Sequence, residues 1–173
     1  MPARGDGLFS LIDGQTSTRS RGLLLLLWLV VLSGRKVACM TSREAACSCG
    51  QLSLTVNGDP LRVSMCHCLE CQRRTGSTFG VQAWYSREQV QPAGGVAKQY
   101  TRRADSGRSV TFNFCPNCGG TVFWAAAQRP DLVGVAVGMF ADPAFDRPAH
   151  SVWERSQHPW TVAFGELIVE HLK

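Results

Sequence analysis

The sequence predicts one mainly β domain, mostly antiparallel, from three observations. Several short segments alternate apolar and polar residues, which is the period of a strand with one buried face. Glycine and proline pairs of the kind found in turns separate these segments. The chain has 173 residues, of which 45% are hydrophobic and 18% charged. That composition is typical of one globular domain and not of a disordered, collagen-like or coiled-coil chain.

The first predicted element after residue 40 is a β-hairpin. Residues 52–56 alternate, residues 57–60 read Asn-Gly-Asp-Pro, and residues 61–65 alternate again. Two alternating runs joined by turn residues are the usual signature of a hairpin. Further strands are expected from the same alternation around residues 79–83, 96–100, 110–114 and 133–139.

The helix signal in this sequence is a single short one. Ser86 is followed three residues later by Gln89, a pair that forms a capping box for one turn ending near Val90. Met65 and Phe112 are expected in the core. The polar stretch that contains Arg102, Arg103 and Arg108 is expected to be a solvated loop.

The amino-terminal segment, residues 1–39, is predicted to be an extension, and residues 40–173 the domain. Residues 22–32 are an apolar run flanked by arginine and lysine. A spanning helix needs roughly 20 apolar residues, so this run has the size of a signal-peptide core instead. Three interpretations stay open: upstream sequence before a start at Met40, a signal or membrane anchor, and a cytosolic extension. A cytoplasmic location is expected, with secretion or anchoring through residues 22–32 as the alternative.

The charge distribution argues against a nucleic-acid partner. The formal net charge is +5, and residues 40–173 contain no long run of either sign. A nucleic-acid site would need a basic patch or stripe. No stable membrane span is expected either, and the sequence leaves the oligomeric state undetermined.

The spacing of the cysteines is the feature of this sequence that best indicates a function. The chain has eight, and seven of them fall in three motifs: Cys47 and Cys49; Cys66, Cys68 and Cys71; Cys115 and Cys118. A C-x-x-C motif followed by glycine is typical of a zinc knuckle. The first and third motifs together offer the four thiolates of a closed tetrahedral site, so they are assigned to a structural zinc.

The middle motif supplies three thiolates, and three protein ligands with one open position are typical of a catalytic zinc. Other interpretations stay open at this point. The cysteines could form disulfides, hold iron or an iron–sulfur cluster, or make a second closed zinc site completed by His67, Cys39 or a remote histidine. Because His67 lies between two ligands, its ring is expected to point away from the metal. Thiolate ligands favour a reducing compartment.

Four motifs in order resemble the glutathione-dependent formaldehyde-activating enzyme and centromere protein V family. They are C-x-C-G, C-H-C-x-x-C-R-R-x-x-G-S, F-C-x-x-C-G, and A-H-x-x-W followed by P-W, and they cover nearly all of residues 40–160. The resemblance implies a β-tent fold of small antiparallel sheets stapled by zinc knuckles, with two zinc ions per chain, one structural and one of the catalytic type. It also implies a carbon–sulfur lyase-type enzyme that joins glutathione and formaldehyde as S-hydroxymethylglutathione, or acts on a related thiol and aldehyde.

Further residues are candidates for this chemistry. Glutathione carries two carboxylates, so Arg73 and Arg74 are candidate clamps, with plain solvation as the alternative. His150 is a candidate proton carrier because imidazole titrates near neutrality, although a structural histidine fits equally well. Trp153 and Trp160 could wall the pocket or belong to the core.

A second functional class stays open. A non-catalytic, zinc-stabilised binding module, as the resemblance to centromere protein V permits, would use both metals structurally. Residues 40–173 contain no long basic or proline-rich stretch for chromatin or microtubule contact, so the enzyme is the preferred interpretation.

Overall fold

A computed structural model describes residues 41–104 and 107–161. The predictions for residues 1–39, including the apolar run and Cys39, lie outside this part of the chain. The described residues are mainly β, as predicted. The strands are β1 (Ser42–Ala46), β2 (Ser53–Asn57), β3 (Arg62–Cys66), β4 (Gly80–Ser86), β5 (Val90–Gly94), β6 (Lys98–Arg103), β7 (Ser109–Phe114), β8 (Thr121–Ala126), β9 (Arg129–Ala136) and β10 (His150–Val152).

The strands form two sheets. Strands β1, β2 and β5 make a three-stranded antiparallel sheet with β2 in the middle. The other seven make a second sheet in the order β10-β3-β4-β9-β8-β7-β6. Every pairing in it is antiparallel except that of β10 with β3, which is parallel. Strand β6 therefore lies at one edge of the large sheet and β10 at the other.

The predicted hairpin over residues 52–65 is wrong, although both of its strands exist. Strand β2 belongs to the small sheet and β3 to the large one. The turn between them is bound to β1, because the Gly58 N–H donates to the Thr41 carbonyl and Arg43 lies 3.4 Å from the Asp59 carboxylate. Alternation of apolar and polar residues indicates which face of a strand is buried but not which strand it pairs with. Two strands that are consecutive in the sequence were therefore predicted to pair with each other.

One helix was missed by the sequence analysis. Helix α1 (Leu69–Thr75) has no buried residue, and so it lacks the apolar period by which helices are recognised. It begins where the Cys68 sulfur accepts a hydrogen bond from the Cys71 N–H, and it ends at Gly76, whose φ is 66°. Glycine is favoured there because the left-handed conformation costs it little.

Three short 3-10 helices complete the described structure: Arg87–Gln89, Val137–Phe140 and Glu154–Ser156. The first confirms the predicted turn, since the Ser86 N–H donates to Gln89 Oε1 at 2.9 Å. The second shortens a predicted strand, because β9 ends at Ala136 and Met139 lies in the 3-10 helix.

The buried core joins the two sheets in one hydrophobic cluster. Ala45, Leu54 and Val56 come from the small sheet, and Ala83 and Tyr85 come from the large one. Met65 is buried as predicted, at 4% exposure. The cluster also contains Cys47 and Cys115, so the core extends directly to two of the predicted metal ligands.

Candidate metal centres and the adjoining cavities

The first and third cysteine motifs meet at one place, which we call the four-cysteine cluster. The sulfur atoms of Cys47, Cys49, Cys115 and Cys118 all lie within 4.8 Å of one another. Cys47 follows β1 of the small sheet, and Cys115 follows β7 of the large one. The grouping that spacing suggested is therefore present, and the cluster links a strand end of each sheet.

Backbone geometry shapes this cluster. Gly50 and Gly119 each close a tight turn with a φ of 74°, a conformation that glycine adopts without steric cost. The Leu52 N–H donates to the Cys47 sulfur at 3.2 Å, and the Asn117 N–H donates to the Cys115 sulfur at 3.4 Å. Burial acts to raise the pKa of Cys47, but the Leu52 N–H donor and the Cys49 and Cys115 sulfurs outweigh it and lower that pKa.

Two members of the four-cysteine cluster are exposed and two are buried. Cys49 and Cys118 are the exposed pair. Hydrogen bonds from the Gly120 and Cys49 N–H groups lower the pKa of Cys118 to about 6. The Gln51 N–H acts to lower the pKa of Cys49, but the sulfurs of Cys115 and Cys47 outweigh it and raise that pKa to about 11. Without a cation the four sulfurs therefore cannot all be thiolates, whereas a thiophilic cation would hold all four.

The middle motif forms a second group, the three-cysteine cluster. Cys66 ends β3, Cys68 caps α1 and Cys71 lies within α1, and their sulfurs are within 4.8 Å of one another. Gly80 allows α1 to approach β4, because a Cβ atom there would lie 3.0 Å from Arg74 Nη2 and 3.6 Å from Cys71 Cβ. Cys66 is buried, and Cys68 and Cys71 are half-buried.

The thiols of the three-cysteine cluster differ in pKa. Hydrogen bonds from the Cys66 and Cys71 thiols lower the pKa of Cys68 to about 2. Hydrogen bonding to Cys68 is also the main cause that raises the pKa of Cys66. One thiolate is thus stabilised at the expense of its neighbours. Three thiolates at this spacing require a cation, and a set of sulfur ligands suits a thiophilic one.

Within the described residues, no histidine or carboxylate joins the three sulfurs as a further ligand. The His67 ring packs edge-on against Phe79, with the ring centroids 5.9 Å apart. The His67 ring is not among the groups that lie within 4.8 Å of the three sulfurs.

A cavity of about 450 Å³ opens on the three-cysteine cluster, and we call it the cysteine cavity. Cys66 and Cys68 form part of its wall, and Trp84 and Trp153 form another part. Trp153 has a φ of 62°, which is rare for a bulky residue. Four arginines from separate parts of the chain also line the cavity: Arg62, Arg102, Arg108 and Arg129.

The predicted arginine clamps lie elsewhere. Arg73 and Arg74 do not line the cysteine cavity among the described residues, and Arg73 forms an ion pair with Glu70. The Arg74 guanidinium lies over the indole of Trp124, 4.6 Å from the ring centroid. The hydrogen bond with the Cys66 sulfur and the nearby Arg74 charge both act to lower the pKa of Cys71, but the Cys68 sulfur and burial outweigh them and raise that pKa.

The remaining candidates differ in position. Trp153 lines the cysteine cavity, whereas Trp160 is 69% exposed. His150 begins β10, where it is paired with Ser64, and it is not among the described residues that line the cavity. Within the same strand pair, Val152 is opposite Cys66 and does line the cavity.

The arginines that make the cysteine cavity basic were not predicted as site residues. Arg102 was expected in a solvated loop, but it lies on β6 and its side chain is 16% exposed. Phe112 was expected in the core, but it is half-buried and lines a neighbouring cavity. No local motif marks these residues, because they converge through strand pairing across the large sheet.

Comparison with known proteins agrees with this arrangement. The profile of the family described as glutathione-dependent formaldehyde-activating enzyme matches residues 42–156. The chain belongs to this family. The match to the formaldehyde-activating family begins at the first residue of β1 and ends at Ser156, so it includes both cysteine clusters and all ten strands.

One solved structure similar to this family member is the crystal structure of a Rhodobacter sphaeroides protein. It is 20% identical, and the alignment covers 56% of this chain and 85% of that chain with a TM-score of 0.45. No curated protein matches the chain significantly. Within the residues that the structure describes, no helix combines the length and apolar character needed to cross a membrane.

Proposed function

We propose that this chain is a zinc-dependent enzyme of the carbon–sulfur lyase type, which forms or breaks the adduct of a thiol with a small aldehyde. Glutathione and formaldehyde are the proposed pair, or a related thiol and aldehyde. One observation carries this proposal: the cysteine cavity combines two sulfurs of the three-cysteine cluster with four arginines. A thiol substrate with carboxylates needs both features in one place.

The two clusters would have different tasks. Cys47, Cys49, Cys115 and Cys118 would hold a structural zinc that ties the sheets together. Cys66, Cys68 and Cys71 would hold a second zinc with a position open towards the cavity. When bound, that zinc supplies positive charge that favours a thiolate or polarises a carbonyl.

The arginines would bind the carboxylates of the thiol. Arginine presents a rigid fork of donors that matches a carboxylate, and such charge-assisted bonds are stronger than neutral ones. Arg62, Arg102 and Arg129 come from β3, β6 and β9, so rigid strands hold them. They take the role that the sequence suggested for Arg73 and Arg74.

The reaction balances without an oxidant or reductant. The thiol loses its proton, a carbon–sulfur bond forms as the carbonyl π bond breaks, and the oxygen of the adduct gains a proton. His150 is retained as the proposed proton carrier, because it begins the strand that leads to Val152 and Trp153 on the cavity wall. Its test is a His150→Gln variant, which is expected to lower kcat for the exchange reaction.

The test of the proposed function is the exchange between glutathione and formaldehyde, followed by NMR with the zinc-loaded full chain. Cys68→Ser is expected to abolish acceleration above the uncatalysed rate. Cys49→Ser is the matched control, because it removes a ligand of the other cluster; it should lower stability but leave exchange by the folded protein. Undiminished acceleration with Cys68→Ser would contradict the proposed catalytic role of the three-cysteine cluster and favour a non-catalytic binding module.

A further inference from the structure

A second cavity, which we call the aromatic cavity, is lined by residues of α1 and of strands β6, β7 and β8. Its volume is about 500 Å³. Three aromatic side chains, Tyr100, Phe112 and Phe114, line it together with Arg73, Arg74 and Arg102. The aromatic residues come from the edge strand β6 and its neighbour β7. The proposed addition of a thiol to formaldehyde does not require this cavity.

The aromatic cavity adjoins the cysteine cavity at a shared residue. Arg102 lines both cavities. Glu70 lines the aromatic cavity, and it lies in α1 between Cys68 and Cys71. A molecule in the aromatic cavity would therefore lie next to the segment that carries the three-cysteine cluster.

The size of the aromatic cavity exceeds what the proposed small aldehyde requires. Formaldehyde has two non-hydrogen atoms, whereas cavities of roughly 300 to 1,000 Å³ accommodate organic ligands of many atoms. The walls are suited to a ring, because aromatic side chains favour stacked or edge-on contacts with one another. A ligand with an aromatic group would fill this space.

The charges of the aromatic cavity favour an anion. Glu70 is paired with Arg73, and its second oxygen lies 3.8 Å from Arg102. The guanidinium groups of Arg74 and Arg102 lie 5.8 Å and 5.9 Å from the centroid of Phe112. The lining of the cavity thus contains three arginines and one carboxylate, which leaves a net positive charge for a ligand to neutralise.

We propose that the aromatic cavity binds the ring of a negatively charged aromatic aldehyde, with its carbonyl directed past Arg102 towards the thiol in the cysteine cavity. This substrate class rests on the proposed function. The step remains an addition: the carbon–sulfur bond forms, the carbonyl π bond breaks, and the thiol proton ends on the oxygen. Binding of the ring itself is independent of the reaction.

Binding is tested by calorimetric titration of the zinc-loaded full chain with benzoate. Two other ligands are expected to bind at least fivefold more weakly than benzoate. Cyclohexanecarboxylate keeps the negative charge but has no aromatic ring, and benzyl alcohol keeps the aromatic ring but has no charge. Phe112→Leu and Tyr100→Leu are each expected to weaken the binding of benzoate about fivefold. Tyr100 is 59% exposed, so its replacement leaves the fold intact even if Phe112→Leu is unstable.

Phe145→Leu is the matched control, because Phe145 is also half-buried and has a guanidinium, that of Arg43, 5.4 Å from its ring centroid. Unchanged benzoate affinity in this variant supports the site. Equal binding of the three ligands, or equal loss in all three variants, would overturn it.

The substrate class is tested by exchange rates with 4-carboxybenzaldehyde and formaldehyde. Tyr100→Leu is expected to lower the ratio of their kcat/KM values about fivefold. An unchanged ratio, or turnover of formaldehyde alone, would overturn the proposal that the substrate is an aromatic aldehyde. If neither aldehyde reacts but benzoate binds as described, the proposed function fails and the ligand class of the cavity stands.

Discussion

Gly134 lies directly opposite Trp124 on the neighbouring strand, and a Cβ atom at position 134 would come within 2.4 Å of Trp124 Nε1. The indole therefore occupies the space that a side chain would fill. The same indole lies beneath the Arg74 guanidinium. The absence of a side chain at position 134 thus helps to set the position of an arginine on the wall of the aromatic cavity.

Gly134→Ala is expected to destabilise the fold by about 1 to 3 kcal/mol, because a buried side chain has to move to admit the methyl group. Chemical denaturation measures this change. Gly138→Ala is the control, since Gly138 is exposed and a Cβ atom there meets no described atom within 4 Å. Equal stability of the two variants would contradict the tight packing at Trp124.

Replacement of Arg102 should weaken the binding of thiols that carry a carboxylate but not of neutral thiols. Arg102→Gln is expected to raise the KM for glutathione about tenfold or more, because a hydrogen bond between charged groups contributes about 1.5 to 3 kcal/mol. The KM for 2-mercaptoethanol, which has no carboxylate, should not change. Arg103→Gln is the control on the same strand, because neighbouring strand residues face opposite sides and Arg103 is exposed. A similar rise for both thiols would argue against carboxylate binding by Arg102.

The metal-free chain should show unequal reactivity at two exposed cysteines. Cys118 has a pKa of about 6 and Cys49 a pKa of about 11, so at pH 7 to 8 the thiolate forms mainly at Cys118. Brief treatment with iodoacetamide, followed by peptide mass spectrometry, is expected to label Cys118 before Cys49. Equal labelling would show that the hydrogen bonds from the Gly120 and Cys49 N–H groups are not kept without metal.

Tyr85 should limit stability at high pH. Burial raises its pKa to about 12 from an ordinary value of 10.0, and its hydroxyl has no hydrogen-bond partner among the described residues. Because the unfolded chain releases this proton more readily, stability falls as the pH rises from about 10 to 12. Tyr85→Phe is expected to raise the free energy of unfolding by about 1 kcal/mol near neutrality.

The advantage of Tyr85→Phe should then grow above pH 10, because phenylalanine has no proton to lose. Urea denaturation at pH 8 and pH 11 measures the difference. An identical difference between variant and parent at the two pH values would show that Tyr85 ionises equally in both states.

The two cysteine clusters were the most predictable part of the site. The spacing of Cys66, Cys68 and Cys71 confines their sulfurs to one strand end and one helical turn, so local geometry determines the group. The pairing of Cys47 and Cys49 with Cys115 and Cys118 followed from the need for four ligands. Both groups could be predicted because metal coordination imposes a fixed number of ligands.

The arginines and the sheet pairing could not be predicted in the same way. Arg62, Arg108 and Arg129 are distant in sequence and reach one cavity through the order of strands in the large sheet. Strand order depends on long-range pairing, which alternation does not encode. The same limitation made β2 and β3 look like a hairpin.

The four-cysteine cluster also affects how the chain reaches its folded state. Cys49 and Cys115 are 66 residues apart, and each follows a strand of a different sheet. All residues of the small sheet precede Cys115 and Cys118 in the chain, so during synthesis they leave the ribosome before the four cysteines can come together. A cation held by native ligands stabilises the folded chain in proportion to the logarithm of its free concentration. The zinc proposed for this cluster would therefore make the yield of folded protein depend on how much zinc is available during synthesis.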